Sequence, residues 1–365
     1  MKLLYITNGI NGAGGLERVL SIKASYFAEH YNYEVHILTL NESAKKPFYE
    51  FNPKVIFHSI EVGGSPLKYF KEYLKGIKEI VNTIKPDIIS VCDDGLKGFF
   101  LPMLLRKVGP MIYERHASVN LNFNKEHTTV ISRLKNSWLH QLMQKLAINF
   151  DVFVVLTKGN QKEWCADNIR VIPNPISFYP KQSAELTANR IIAVGSHSYN
   201  KGYDLLLQTW KKVIEIHPEW QLEIYGKKDA QHTFVQLAEQ LQLSTSVTFF
   251  EPVQNIREKY LNSSIMVLPS RSEGFGMVLI EAMACGVPCV SFDCPHGPSD
   301  IITDQVDGLL ISNGDIEGLT NALIHLIENK NLRKTMGTKA KENVQRYLPE
   351  PIMKQWDELF KSLQR

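Results

Sequence analysis

No stretch of the 365 residues offers the ~20 consecutive apolar residues of a membrane-spanning helix, so the chain is not expected to cross a bilayer. Arginine-rich tracts are absent, and 41 basic residues nearly balance 38 acidic ones, a net charge of +3 that argues against a nucleic-acid surface. Phosphorylated small molecules or an anionic membrane surface stay compatible with it. Cysteine is scarce: Cys92, Cys165, Cys285, Cys289 and Cys294 make an odd set of five with no Cys-x-x-Cys pair. A disulfide framework is thereby excluded and a reduced, cytoplasmic setting expected; the last three read as buried thiols rather than zinc ligands, for want of histidine partners. No Gly-Lys-Ser/Thr occurs, so there is no P-loop, and "NGAGGLERVL" supplies Gly12 and Gly14 but puts Glu17 at the third glycine position of a dinucleotide fingerprint. The opening "MKLLYITNGI" is broken by Asn8 and Gly9 before an export core is complete, so no export signal is expected.

What is present is the makings of two cores. A hydrophobic content of 44% with 22% charged residues is ordinary for a globular chain, and the length exceeds what one core serves. Short apolar or β-branched runs alternate with stretches of helical period, the pattern of parallel sheets built from βαβ units. "KLLYIT", "EVHILTL", "KVIFHSI", "DIISVC", "PMIYE", "DVFVVLT" and "IRVIP" come first; "RIIAVG", "WQLEIYG", "SVTFFE", "SIMVLPS" and "VPCVSF" follow. The expected fold is α/β with two facing Rossmann-like domains and a cleft between them. The first domain is set at 1–175, a proline-rich, aperiodic linker at 176–189 and the second domain at 190–348. A closing helix, 349–365, carries Ile352, Trp356, Leu359, Phe360 and Leu363 on one side and needs a surface to cover, with the first domain a candidate.

One residue stands out. From Gly274 to Val290 the chain is apolar or glycine at almost every position, yet Glu281 sits in its middle. "MVLIEAMACG" reads as a helix enclosed by protein, and a carboxylate there needs a cation, a proton or hydrogen-bond donors. A buried ion pair is the plain account. The companion changes the weighing: Glu273 stands eight positions earlier, at the strand-to-helix turn, beside Gly274 and Gly276. The amides of Phe275, Gly276 and Met277 open the helix and favour an anion such as a phosphate. Two carboxylates bracketing a phosphate-binding helix start match a diphosphate with hydroxyls on both sides, which describes a nucleotide sugar.

"EGFGMVLIE" resembles the E-x7-E motif of the retaining glycosyltransferases of family four, enzymes of GT-B fold. The likeness spans nearly the whole chain: "GAGGLERV" resembles the family's N-terminal glycine-rich loop, "IPNP" its interdomain entry, "AVG" with "KGYDLLL" its first C-domain strand and helix, and "EAMACGVPCVSFDCPHGPSDII" the loop that follows. The resemblance implies that Glu281 accepts from the ribose diol and Glu273 holds hydroxyls of the transferred sugar. It makes Lys201 the cation for the leaving diphosphate and His116, at the end of "MIYERH", a contact of the sugar at the reacting centre. Gly14 and Gly15, and amides around Gly297, join the donor site. Asp93 and Asp94 are acceptor-orienting candidates, with helix capping as their plain alternative. Asp300 stands where the family usually has glutamate and is read as a helix cap. The family's arginine after the strand's glycine is replaced: Gly195 is followed by Ser196 and His197, so His197 or Arg271 is left to complete the cationic clamp.

The expected enzyme is a retaining, metal-independent transferase without cofactor, moving a sugar from a nucleotide diphosphate donor, UDP the expected base, to a sugar or lipid-linked glycan. The sequence has no D-x-D element of the kind with which another glycosyltransferase fold holds a divalent ion. The alternatives are a nucleotide-sugar binder that has lost catalysis and, fitting less well, an epimerase of GT-B architecture. Two basic amphipathic stretches, "PLKYFKEYLKGIKEIVNTIK" and "RLKNSWLHQLMQKL" with Trp138, leave peripheral contact with the inner face of a membrane open, although packing on their own sheet is the favoured reading. In the first, Leu67, Phe70, Leu74, Ile77, Val81 and Ile84 form one stripe and Lys68, Lys71, Lys75 and Lys78 another.

Overall fold

The computed structural model describes residues 1–93, 95–105, 108–116 and 130–364, and side chains throughout these except at 130–136. Asp94 lies outside the described residues. Strand β1 (Lys2–Thr7) is followed by β2 (Glu34–Leu40), β3 (Ile56–Ile60), β4 (Ile88–Cys92), β5 (Met111–Glu114), β6 (Val152–Val155) and β7 (Ile169–Val171). They form one parallel sheet in the order β3-β2-β1-β4-β5-β6-β7. Next come β8 (Arg190–Val194), β9 (Gln221–Tyr225), β10 (Val247–Phe250), β11 (Ile265–Leu268), β12 (Cys289–Asp293) and β13 (Gly308–Ser312). These make a second parallel sheet, β10-β9-β8-β11-β12-β13. The described residues divide into two compact units, the second being Phe178–Leu348, while the first takes in the described residues before it and those of Pro349–Arg365.

The central strands are covered on both faces, which is why they read as continuous apolar runs, whereas edge strands β3, β10 and β13 are partly exposed. Successive side chains of β1 serve different cores: Leu4 and Ile6 join Tyr73, Ile77, Val91 and Phe153 on one face, Leu3 and Tyr5 join Phe27, Ile37 and Ile112 on the other. The helix Pro349–Leu363 completes that second face, burying Ile352, Met353, Trp356 and Phe360, with the Phe360 ring 5.3 Å from Phe27 of the helix Gly15–His30. In the second unit Ile191, Ile224, Val267 and Val290 pack with Trp210, Leu319 and Leu323. Ala184 and Leu186, in the stretch read as linker, are buried there too, the Ala184 amide donating to Cys285 O at 2.8 Å.

The helix Pro66–Ile84 departs from its single stripe. Tyr73, Ile77, Val81 and Ile84 are buried, but Leu67 is 84% exposed and Phe70 39%. Only the later part of the apolar row meets the sheet, because the first turn, after the Ser65 cap, overhangs solvent. No described helix is long and apolar enough to cross a membrane.

Strand order reverses between β1 and β4 in the first sheet, and between β8 and β11 in the second. Ligands of open parallel sheets bind beyond the carboxyl ends of strands at such reversals. The glycine-rich loop after β1 and Asp93 after β4 occupy one; Lys201 after β8 and Glu273 after β11 occupy the other.

Candidate functional site

In the second unit, the loops after β8 and β11 are drawn together by charge. Lys201, on the turn Tyr199–Lys201, places Nζ 2.6 Å from Glu273 Oε1, and Ser270 Oγ donates to the same oxygen at 2.6 Å. Arg271 is tied to its own unit. Its guanidinium bonds both oxygens of Asp204 at 2.8 and 2.6 Å, donates to Tyr199 O at 2.8 Å and lies 4.0 Å over the Tyr199 ring. A fork so engaged braces the two loops against each other. His197 is 5% exposed and its ring meets Tyr203, Phe234 and Phe249 edge-on, a burial that holds its pKa below the ordinary imidazole value.

The helix Met277–Ala284 begins after Gly276, and Glu281 in its second turn is 1% exposed. Tyr260 Oη donates to Glu281 Oε2 across a long 3.4 Å. Burial first, and the Glu281 carboxylate second, push the Cys285 thiol up to about 12. Phe275 is buried with its ring edge-on to Tyr347. Gly297 packs so closely on this turn that a Cβ would stand 2.1 Å from Phe275 O, at a φ of +103° that favours glycine in any case. The same Gly297 is the N-cap of Pro298–Ile301, so Asp300 lies inside that helix and is not its cap. Gly276, Phe275, Met277, Glu281, Gly297, Glu273 and Lys201 thus belong to adjoining loops and one helix of a single unit. Cys285, Cys289 and Cys294 are free and buried.

The first unit holds a sealed charge network that the sequence reading missed. Lys23 Nζ lies 2.6 Å from Glu114 Oε2, with both side chains 2% exposed. Ser90 Oγ donates to Glu114 Oε1 at 2.5 Å, His116 Nε2 lies 3.3 Å from Oε2, and the Trp356 ring covers Lys23 Nζ at 3.4 Å. Burial alone would raise the Glu114 pKa, and is the largest influence; Lys23 and His116 together outweigh it and bring it down to about 2. A signal was available, since Lys23 falls on the buried row Val19, Leu20, Ala24 and Phe27 of its helix. Among the described residues, Cys92, Glu114 and His116 could converge on a metal. The Lys23 ammonium already sits on the Glu114 oxygen, and burial raises the Cys92 thiol well above its ordinary value, so the donor set does not suit a cation.

Asp93 is buried and tied to its surroundings. It accepts from Asn8 Nδ2 at 2.8 Å and from the Gly95 amide at 2.7 Å, and Tyr113 Oη donates to its carbonyl. The cap of the helix Leu96–Phe99 is Gly95 rather than Asp93. In the glycine-rich loop, Gly14 caps the helix Gly15–His30, and the Glu17 carboxylate folds back against Gly12 and Gly14. Burial raises the Glu17 pKa.

Two Rossmann-like units, each with its polar loops at the reversal of strand order, make a GT-B fold. Residues 13–178 match the family model described as Glycosyltransferase Family 4, and residues 176–343 that described as Glycosyl transferases group 1. The amylovoran biosynthesis glycosyltransferase of Erwinia amylovora is 31% identical over 98% of this chain and 99% of its own. The chain belongs to this family of glycosyltransferases. Its fold resembles that of a sucrose-phosphate synthase from Thermosynechococcus elongatus, with a TM-score of 0.85 and 19% identity over 99% and 98% of the two chains. The Anabaena HepE protein in complex with UDP and glucose follows at 0.80 and 17% over the full length of both.

Proposed function

We propose that the chain is a retaining, metal-independent glycosyltransferase that moves a sugar from a nucleotide diphosphate sugar, UDP-linked, to a sugar or lipid-linked glycan hydroxyl in polysaccharide or glycoconjugate synthesis. The observation that carries it is the pairing of Lys201 with Glu273 at 2.6 Å, at the mouth of the helix that holds buried Glu281. A cation, a carboxylate and free helix amides at one strand-end site suit a diphosphate and the sugar attached to it. The Anabaena relative solved with UDP and glucose supports the donor class, and the amylovoran enzyme supports polysaccharide as the product.

In this reading Glu281 accepts from the ribose diol, Glu273 holds sugar hydroxyls and Lys201 steadies charge growing on the departing diphosphate. Amides at Phe275, Gly276, Met277 and Gly297 and the loop of Gly14 and Gly15 serve the donor. His116 meets the reacting sugar, and Asp93, with Asp94, serves the acceptor. Exposed Leu67 and Phe70 beside Lys68 and Lys71 give a lipid-linked acceptor's membrane a surface to meet.

The test is incubation with UDP-, GDP- and ADP-sugars, a panel of acceptors and a chelator. Nucleotide release that depends on acceptor, persists in chelator and gives a product of unchanged anomeric configuration supports the reading. Inverted product or a requirement for a divalent ion overturns those parts of it. The absence of the clamp arginine, with Ser196 in its place, favours one second reading, a nucleotide-sugar binder; saturable binding with no turnover on any acceptor would establish that instead.

A further inference from the structure

Resting on the reading that His116 meets the donor sugar, we propose that Glu114 is a positioning residue: it holds the His116 ring with Nε2–H toward the protein, so that Nδ1 is the nitrogen that accepts a hydrogen bond from the substrate. Glu114 Oε1 takes the Ser90 hydroxyl at 2.5 Å; Oε2 takes Lys23 Nζ at 2.6 Å and faces His116 Nε2 at 3.3 Å. An ionised carboxylate only accepts, so the imidazole nitrogen against it must carry the hydrogen. The neutral ring is then the Nε2–H tautomer, and a sugar hydroxyl donates to Nδ1.

What keeps Glu114 ionised away from water is Lys23, itself 2% exposed at the side chain and covered by Trp356 at 3.4 Å. Lys23 lies in the helix Gly15–His30 and Trp356 in Pro349–Leu363, so the ring of His116 is set by packing of these two helices on the sheet face that carries the Ser90 and Glu114 side chains. The arrangement costs desolvation of two charges, and a hydrophobic pair of similar volume would serve stability alone equally well. Stability therefore does not account for it, whereas a fixed acceptor for His116 Nε2–H does.

Glu114→Gln alone leaves the Lys23 ammonium buried without its counter-charge and can fail to fold. Lys23→Met/Glu114→Leu removes both charges and keeps the volume filled. Nitrogen NMR of histidine-labelled protein, with His116 identified by loss of its signals in His116→Gln, reads the tautomer directly. The wild type is expected to show Nε2–H, and the double variant to lose that preference while melting normally. Turnover should fall about tenfold to a hundredfold, as a slightly misplaced catalytic group would give, with the donor KM within about twofold. An unchanged tautomer, or unchanged turnover with the tautomer altered, overturns the proposal. If the wild type turns over no donor, the functional reading fails, and the NMR readout by itself still decides the placement of the ring.

Discussion

Each of the two units holds a lysine–glutamate pair of the same length, and the two pairs differ in what can reach them. Lys23–Glu114 and Lys201–Glu273 are both 2.6 Å long, but the first pair's side chains are 2% and 2% exposed, the second's 23% and 9%. The sealed pair has its remaining capacity filled by Ser90, His116 and the Trp356 ring. It cannot trade partners without opening the core. The open pair has a lysine that reaches water, and in the proposed function an arriving diphosphate and sugar take the ammonium and the carboxylate in exchange for one another. The same two residue types thus form a sealed pair in one unit and, in the proposed function, an exchangeable site in the other, and burial separates them.

The largest effect should come from breaking the sealed pair on one side. Lys23→Met leaves the Glu114 carboxylate uncompensated and is expected to cost about 3–5 kcal/mol of unfolding free energy, with most of it recovered in Lys23→Met/Glu114→Leu. Urea unfolding of the three proteins measures this, and a single variant as stable as the double would mean the pair is not sealed.

Acid probes the same pair more gently. The Glu114 pKa falls from an ordinary 4.5 to about 2 on folding, so the stability it contributes is complete above the ordinary value and is lost as the pH drops through the folded one. The stability of the wild type relative to the double variant should therefore fall progressively from about pH 5 downward. A constant gap over that range would separate Glu114 from the charge on Lys23.

For the open pair the balance reverses. Lys201→Ala should reduce turnover about 10²–10³-fold, the range for losing one preorganised group that meets transition-state charge. Unfolding free energy should change by less than about 1 kcal/mol, as is usual for a pair in contact with solvent. Steady-state kinetics beside a urea titration settles it; a large stability loss with turnover intact would make the two pairs alike.

Much of this contrast was hidden in the sequence, although the sheets were not. Strands covered on both faces advertise themselves as apolar runs, and the one that went unread, β13, is an edge strand whose central residues are half-buried and whose "GLLIS" lacks a β-branched run. Glu273 and Glu281 were legible because one turn and one helix carry both. The lysine–glutamate pairings were not, even though Lys201 itself was named, since Lys201 lies 72 positions from Glu273 and Lys23 91 from Glu114, distances that only the folded sheet closes. His197 shows the other limit: its position after β8 was readable, but which way the ring turns depended on Tyr203, Phe234 and Phe249, contributed by three separate elements.

Glu281 is the case that tests where the line between architecture and site falls. At 1% exposure it is as sealed as Glu114, and Tyr260 Oη donates to it at 3.4 Å. If donors arriving with the nucleotide complete its shell, Glu281→Gln keeps the shape but halves the accepting capacity toward a diol. UDP affinity, read by calorimetry, should then fall about tenfold, near the low end of the 1.5–3 kcal/mol expected for a hydrogen bond to a charged group. The ligand-free protein should melt within a degree or two of wild type, roughly the shift of a few tenths of a kcal/mol in a chain of this size. The opposite pattern, a lowered melting temperature with UDP affinity intact, would place Glu281 beside Glu114 as part of the frame and leave Lys201 and Glu273 to hold the donor without it.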